Sequence, residues 1–93
     1  KKRVLLVDDE KEILDLNKEA FEFFDFHVFT ALSVEEAVVI LKKNDVDYIL
    51  TDYQMPGKNG MDLVKTVRGE LSMTTPISFL TAHTLDKNDP LEA

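Results

Sequence analysis

Short apolar runs and amphipathic segments alternate along the chain. Residues 4–7 (VLLV) form an unbroken apolar run between charged residues, which is typical of a strand buried on both faces of a parallel sheet. Residues 27–31, 46–50 and 77–80 predict three further short strands. Between these runs, apolar residues recur at steps of three and four, which indicates helices with one buried face. The pattern therefore predicts strands and helices in strict alternation.

Three helices are predicted between the strands. The first spans residues 11–24, and one of the two aspartates that follow the first strand is expected to cap it. Its expected apolar stripe consists of Ile13, Leu14, Leu16, Ala20, Phe21 and Phe24. The second begins where Ser33 and Glu36 form a capping-box pattern, and the third runs from about 61 to 71. A fourth helix is expected to begin near Thr84.

Strict alternation predicts an α/β fold, in which a parallel sheet carries helices on both faces in three layers. In such a fold, ligands bind at the carboxyl ends of the strands, where the strand order reverses. Asp8 and Asp9 follow the first predicted strand, Asp52 follows the third and Thr81 follows the fourth. The chain therefore places three acids and a hydroxyl at the edge where a ligand is expected.

Composition and charge limit the function classes. With 93 residues, 44% of them apolar, the chain has room for one globular domain, and the entire sequence is interpreted as that domain. A net charge of −7 argues against direct nucleic-acid binding, which needs a basic surface. Its apolar runs are too short for a membrane span or a signal peptide, and it has no cysteine, so we expect a cytoplasmic protein.

The three acids carry the chemistry. Two carboxylates about 5 Å apart repel by roughly 3 kcal/mol at an effective dielectric constant near 20, so such a cluster tends to hold a proton or a cation. Oxygen ligands suit Mg²⁺, which takes one or two carboxylates and shares its remaining positions with water and phosphate. Asp8 or Asp9 alone is most simply a helix cap and Asp52 alone a turn residue. Their joint occurrence at the ends of two strands favours a magnesium site that expects a phosphoryl group.

Three segments, VLLVDDE, TDYQMPGKNG and PISFLTA, resemble the receiver domain of bacterial two-component response regulators, and the resemblance covers residues 4 to about 82. It implies a flavodoxin-like, doubly wound sheet with strand order 2-1-3-4 in this chain. It also implies that the protein takes a phosphoryl group from a histidine kinase or a phosphotransfer protein. Apart from self-catalysed phosphotransfer and autodephosphorylation, no enzyme activity is implied.

The resemblance assigns roles to individual residues. Asp52 matches the phosphoacceptor aspartate, Asp9 the direct metal ligand and Asp8 the ligand that acts through water. The backbone carbonyl of Gln54 would complete the Mg²⁺ site, and Thr81 matches the hydroxyl that moves to the phosphoryl oxygen. The loop that holds the acceptor is expected to consist of Met55, Pro56, Gly57 and Gly60, with the glycines supplying backbone angles that other residues resist. Tyr53 and Gln54 flank the acceptor, and we expect them to tune the lifetime of the phosphoryl group.

The sequence departs from the family pattern at two places. Receivers have a fifth strand that carries a lysine and an aromatic switch residue, and a fifth helix, none of which this sequence contains; it also begins without Met. We therefore expect it to be an incomplete part of a longer receiver, with Lys58 or Lys11 as possible substitutes for the lysine. A naturally short form is expected to dimerise through the exposed sheet edge or its helices. Lys58 and Asn59 stand where the family often has an apolar residue and an acid.

Two other functions stay open. A receiver-like module without phosphorylation would act in docking or dimerisation, which the missing lysine favours. An aspartate-nucleophile phosphohydrolase would also use magnesium and acids on a parallel sheet, but its nucleophile normally lies in a D-x-D pattern after strand one, whereas this chain has adjacent acids, DDE. The two histidines, His27 and His83, and the phenylalanines of residues 21–29 are interpreted as packing or surface residues. The cognate kinase and the output response are not indicated.

Overall fold

A computed structural model describes residues 1–55 and 57–80 of the chain. The strands are β1 (Arg3–Val7), β2 (His27–Ala31), β3 (Tyr48–Asp52) and β4 (Ile77–Leu80). The helices are α1 (Lys11–Phe23), α2 (Val34–Lys43) and α3 (Gly60–Lys65), and α3 continues into a π-helical segment, Thr66–Glu70. Within these residues no helix has the length and the apolar character needed to cross a membrane. The helix predicted near Thr84 lies outside the described residues.

The four strands form one parallel sheet in the order β2-β1-β3-β4. β1 is therefore central: Val4 pairs with Val28 on one side and with Tyr48 on the other. The predicted strand order and the alternation of strands and helices are confirmed. Because β1 and β3 are parallel neighbours, their carboxyl ends lie side by side at one edge of the sheet.

Helices cover both faces of the sheet, so the predicted three-layer architecture is confirmed. The larger cluster of buried side chains joins the sheet to α2, α3 and the π-helical segment: Leu5, Val7, Ala31, Val34, Ala37, Leu41, Val46, Ile49, Met55, Leu63 and Val67. On the opposite face the buried cluster is smaller and joins the sheet to α1: Val4, Leu6 and Leu14. The unbroken apolar run of β1 thus supplies both faces, as expected for a central parallel strand.

The predicted third strand was displaced from the observed one. β3 begins two residues later than expected and includes Asp52, because its ladder with β4 continues to its last residue, whereas its ladder with β1 ends at Thr51. Val46, which was assigned to the strand, is buried in the larger cluster from a position before the strand begins. The predicted segment therefore starts with a buried residue outside the strand, and only residues 48–50 of it belong to β3.

The expected stripe on α1 is only partly buried. Leu14 is buried and Phe21 packs against the smaller cluster, whereas Leu16, Ala20 and Phe24 are exposed. The stripe prediction was therefore wrong for these three residues. Leu14 and Phe21 are seven residues apart and lie on one side of the helix, which is the side that meets the sheet.

The helices that follow β2 and β3 begin with side-chain caps. Ser33 Oγ accepts from the Glu36 N–H at 3.1 Å, as the sequence pattern predicts, but Glu36 Oε1 accepts from the Leu32 N–H rather than from Ser33. The reciprocal capping box occurs instead at α3, where Asn59 and Asp62 exchange both hydrogen bonds, at 2.8 and 3.0 Å. This cap fixes the start of the helix that follows the Asp52 loop.

Candidate functional site

Three aspartates meet at the carboxyl edge of the sheet. One carboxylate oxygen from each of Asp8, Asp9 and Asp52 lies within 4.8 Å of the others. Asp8 and Asp9 follow β1 and Asp52 ends β3, so the pairing of these two strands brings them together. At 4.8 Å and an effective dielectric constant near 20, each charged pair repels by about 3 kcal/mol. The predicted acidic cluster is therefore present, and its electrostatic energy favours binding of a cation.

Asp8 is the buried member of the cluster, with 4% of its surface exposed, whereas Asp9 is exposed. Asp8 Oδ1 accepts from the Glu10 N–H at 2.9 Å, and Glu10 is the N-cap of α1. Neither aspartate occupies the cap position, so that prediction was wrong. Burial raises the pKa of Asp8 above its ordinary value of 3.8; the Glu10 N–H opposes this shift, and the charges of Asp52 and Asp9 add to it.

Asp52 is half-buried at the end of β3, so it remains accessible from the edge of the sheet. Its Oδ1 accepts from the Gln54 N–H at 3.4 Å, which is long for a hydrogen bond of this kind. Met55, the next residue, is buried in the larger cluster and so attaches the loop to the core. The roles assigned to Asp52 as acceptor and to the Gln54 carbonyl as ligand stay predictions.

The two glycines of the loop act for different reasons. Gly57 has φ of +81°, so it supplies the backbone angle that the sequence analysis expected of both. Gly60 instead begins α3, and a Cβ there would lie 2.7 Å from the Asp52 carbonyl oxygen. Gly60 also donates its N–H to the Tyr53 carbonyl at 2.8 Å. The reason for glycine at this position is therefore the close approach of the backbone, which corrects the expectation.

The two lysines considered as substitutes for the missing one form ion pairs with other carboxylates. Lys58 lies 3.7 Å from Glu35, and Lys11 lies 3.1 Å from Asp15 on the next turn of α1. All four side chains are exposed, so these pairs contribute little to stability. Thr81, the expected switch hydroxyl, and His83 lie outside the described residues.

An aromatic pair that no sequence pattern indicates lies beside the cluster. The rings of Tyr53 and Phe79 meet edge to face, with centroids 5.3 Å apart. Phe79 lies on β4 opposite Thr51, the residue before Asp52. No periodicity in the sequence predicts this contact, because it joins a loop residue to a strand much further along the chain. Of the histidines, His27 is exposed and lies against Phe29, as expected for a surface residue.

These features define a class of protein. A parallel 2-1-3-4 sheet carries a compact set of carboxylate oxygens at its carboxyl edge, where doubly wound folds bind their ligands. The donor set consists of hard carboxylate oxygen atoms, which are the ligands that suit a Mg²⁺ ion. The class is an α/β protein with an acidic, oxygen-only site suited to a divalent cation next to an accessible aspartate.

Comparison with known proteins identifies the family. The family model of the response regulator receiver domain matches residues 4–92, and the chain belongs to this family. It is 38% identical over 81 residues to the response regulator SaeR of Staphylococcus aureus. That alignment covers 87% of this chain and 35% of SaeR, so the chain spans about a third of the length of this curated relative.

Solved receiver structures share the fold. The receiver domain of the Francisella response regulator 1452 superposes with a TM-score of 0.82 at 28% identity, over 99% of this chain and 72% of that one. The response regulator protein TrrA of Thermotoga maritima, in complex with Mg²⁺ and BeF, gives a TM-score of 0.80 at 31% identity, over 97% of this chain and 77% of that one. The flavodoxin-like fold and the receiver assignment are therefore confirmed. Receiver domains are the phosphoacceptor modules of two-component signalling.

Proposed function

We propose that this chain accepts a phosphoryl group on Asp52 from a histidine kinase or a phosphotransfer protein, with Mg²⁺ bound, and changes conformation in response. The observation that carries the proposal is the meeting of Asp8, Asp9 and Asp52 within 4.8 Å at the carboxyl edge of the sheet. Membership of the receiver family supports it. The Mg²⁺–BeF complex of TrrA is a property of that relative and is consistent with the same chemistry here.

Asp52 is the best nucleophile of the three acids. Asp8 is buried and accepts the Glu10 N–H, whereas Asp52 is half-buried and open to the edge of the sheet. The Asp52 carboxylate attacks the phosphorus atom of a phosphohistidine in line. An O–P bond forms, the P–N bond breaks, and the electron pair leaves with the imidazole nitrogen. The product is an aspartyl phosphate and a histidine, so the step requires no further reactant.

The acids divide the remaining work. Asp9 is exposed and would bind Mg²⁺ directly, Asp8 would bind it through water, and Asp52 and the Gln54 backbone carbonyl would complete the set. Held by these residues, Mg²⁺ would supply positive charge to offset the charge that develops on the transferring oxygens. Asp8 holds the turn after β1 through the Glu10 N–H and thereby orients Asp9. Thr81 is the proposed hydroxyl that donates to the phosphoryl group after transfer, which biases a two-state loop.

The test is phosphorylation of the purified chain by a small phosphodonor with Mg²⁺, followed by mass spectrometry. We expect the parent chain to gain the mass of one phosphoryl group and the Asp52→Asn variant to gain none. Asp45→Asn is the matched control, because it makes the same change in the exposed turn before β3, at the opposite end of that strand. The control is expected to be phosphorylated like the parent.

Three outcomes would overturn the proposal. If neither the parent nor Asp52→Asn gains mass, and beryllofluoride with Mg²⁺ leaves the spectrum of the parent chain unchanged, the chain is a docking or dimerisation module. If the parent releases phosphate from a phosphoester over many turnovers, the chain is a phosphohydrolase. Modification of both the parent and Asp52→Asn would place the acceptor at another residue.

A further inference from the structure

The loop after Asp52 is tied to the neighbouring strand by an aromatic contact. Tyr53 is the first residue beyond β3, and its ring meets the ring of Phe79 on β4 at an interplanar angle of 80°. Thr51 and Phe79 are partners in the ladder between these strands. The ring contact therefore joins the residue that follows Asp52 to the strand that pairs with β3.

Gly60 makes this contact possible. A Cβ at Gly60 would lie 2.8 Å from Phe79 Cε1 and 2.7 Å from the Asp52 carbonyl oxygen. Without a side chain, the start of α3, the Asp52 backbone and the Phe79 ring can all meet at one point. The Gly60 N–H donates to the Tyr53 carbonyl at 2.8 Å and so closes the loop on itself.

The exposure of the Tyr53 and Phe79 rings shows that they are not part of the buried core. Tyr53 and Phe79 are each 40% exposed, whereas Ile49 and Thr51, two neighbours on β3, are fully buried. Removing either ring therefore leaves the buried cluster intact. The Gln54 N–H lies 3.4 Å from Asp52 Oδ1 and is too distant to fix the carboxylate by itself. The orientation of the carboxylate depends on where the loop backbone is held.

We propose that Tyr53 and Phe79 are positioning residues, which hold the loop after Asp52 so that its carboxylate faces Asp8 and Asp9. The pair contributes no side chain to the acidic cluster and acts through the backbone of residues 52–54. This inference rests on the proposed function, because the property that it affects is the affinity of the acidic cluster for Mg²⁺.

The test is calorimetric titration of Mg²⁺ into the parent chain and into Tyr53→Leu and Phe79→Leu. An edge-to-face pair is worth about 0.5–1.5 kcal/mol, which corresponds to a weakening of Mg²⁺ binding by about 2- to 12-fold. The double variant is expected to be no weaker than the more affected single variant, since each substitution removes the same contact. Phe79→Tyr keeps a ring and is expected to keep the affinity.

Tyr48→Leu is the matched control. Tyr48 is 45% exposed and lies at the amino end of β3. The substitution therefore removes a comparable ring far from the cluster. A purely structural role would lower the free energy of unfolding in Tyr53→Leu and Tyr48→Leu alike and leave both Mg²⁺ affinities at the parent value. That result overturns the inference while the phosphoacceptor function stands. A parent chain that binds no Mg²⁺ overturns both.

Discussion

Two neighbouring residues at the carboxyl end of β1 show opposite consequences of burial. Val7 is fully buried at the end of β1, and Asp8, the next residue, is 4% exposed. Burial of Val7 removes apolar surface from water and stabilises the fold. Burial of Asp8 raises the pKa of its carboxyl and places it among like charges, which costs stability. The strands thus stabilise the molecule along their length and carry, at their ends, a cluster of like charges that repel one another.

The largest effect is expected in the middle of the strands. Ile49 is fully buried in the larger cluster, so Ile49→Ala removes apolar contacts and leaves a cavity. We expect the free energy of unfolding to fall by about 2–5 kcal/mol, measured by urea denaturation. Val39→Ala on the exposed side of α2 is the control and is expected to stay within about 0.5 kcal/mol. A loss below about 1 kcal/mol for Ile49→Ala would contradict the contrast between the strand interior and the strand end.

The next effect concerns the strand ends. Because Mg²⁺ is expected to bind the folded chain and not the unfolded one, it should raise the free energy of unfolding by about 2.7 kcal/mol at 100 times its Kd. Thermal unfolding in MgCl₂, compared with NaCl at equal ionic strength, measures the gain. Asp52→Asn is expected to lose most of it. An equal response to the two salts would mean that the aspartates are only screened and bind no ion.

A smaller effect follows from the burial of Asp8. Without Mg²⁺, Asp8→Asn keeps an oxygen for the Glu10 N–H and removes one repelling charge. We expect the variant to be more stable than the parent by about 1 kcal/mol at pH 7, which is less than the roughly 3 kcal/mol of one such pair at an effective dielectric constant near 20, because Asp9 is exposed and water screens its charge. The same substitution should weaken Mg²⁺ binding, so its stability advantage should disappear or reverse as Mg²⁺ is added.

The pH dependence of this difference has a definite sign. Because the pKa of Asp8 is raised in the folded state, the folded chain binds more protons than the unfolded chain between 3.8 and that raised value. The stability of the parent relative to Asp8→Asn therefore falls as pH rises through this window, and the two converge below pH 3.8. Urea denaturation at several pH values measures the difference. A difference that grows on acidification would contradict the assignment.

The sequence predicted the fold because its strongest signals are local. The apolar run of residues 4–7 and the alternation of elements determine a parallel sheet, and the DDE and TD patterns place acids at its edge. Predictions failed where contacts between segments distant in the sequence determine the structure. Val46 is buried but lies before the observed strand, and the ladder with β4 extends β3 to Asp52. The packing of Gly60 against the Asp52 backbone and Phe79 joins three separate segments, so no local pattern could reveal it.

The smallest effect is expected at Leu16 on α1, which is apolar but exposed. Leu14 is buried, whereas Leu16 is 66% exposed two residues later. Leu14→Ala should lower the free energy of unfolding by about 2 kcal/mol or more. Leu16→Ala should change it by less than about 0.5 kcal/mol, because no cavity forms and alanine favours the helix. Urea denaturation of both variants at two protein concentrations measures the pair. Equal losses that depend on concentration would show that Leu16 is covered by a second copy of the chain, and that burial at this face arises from association.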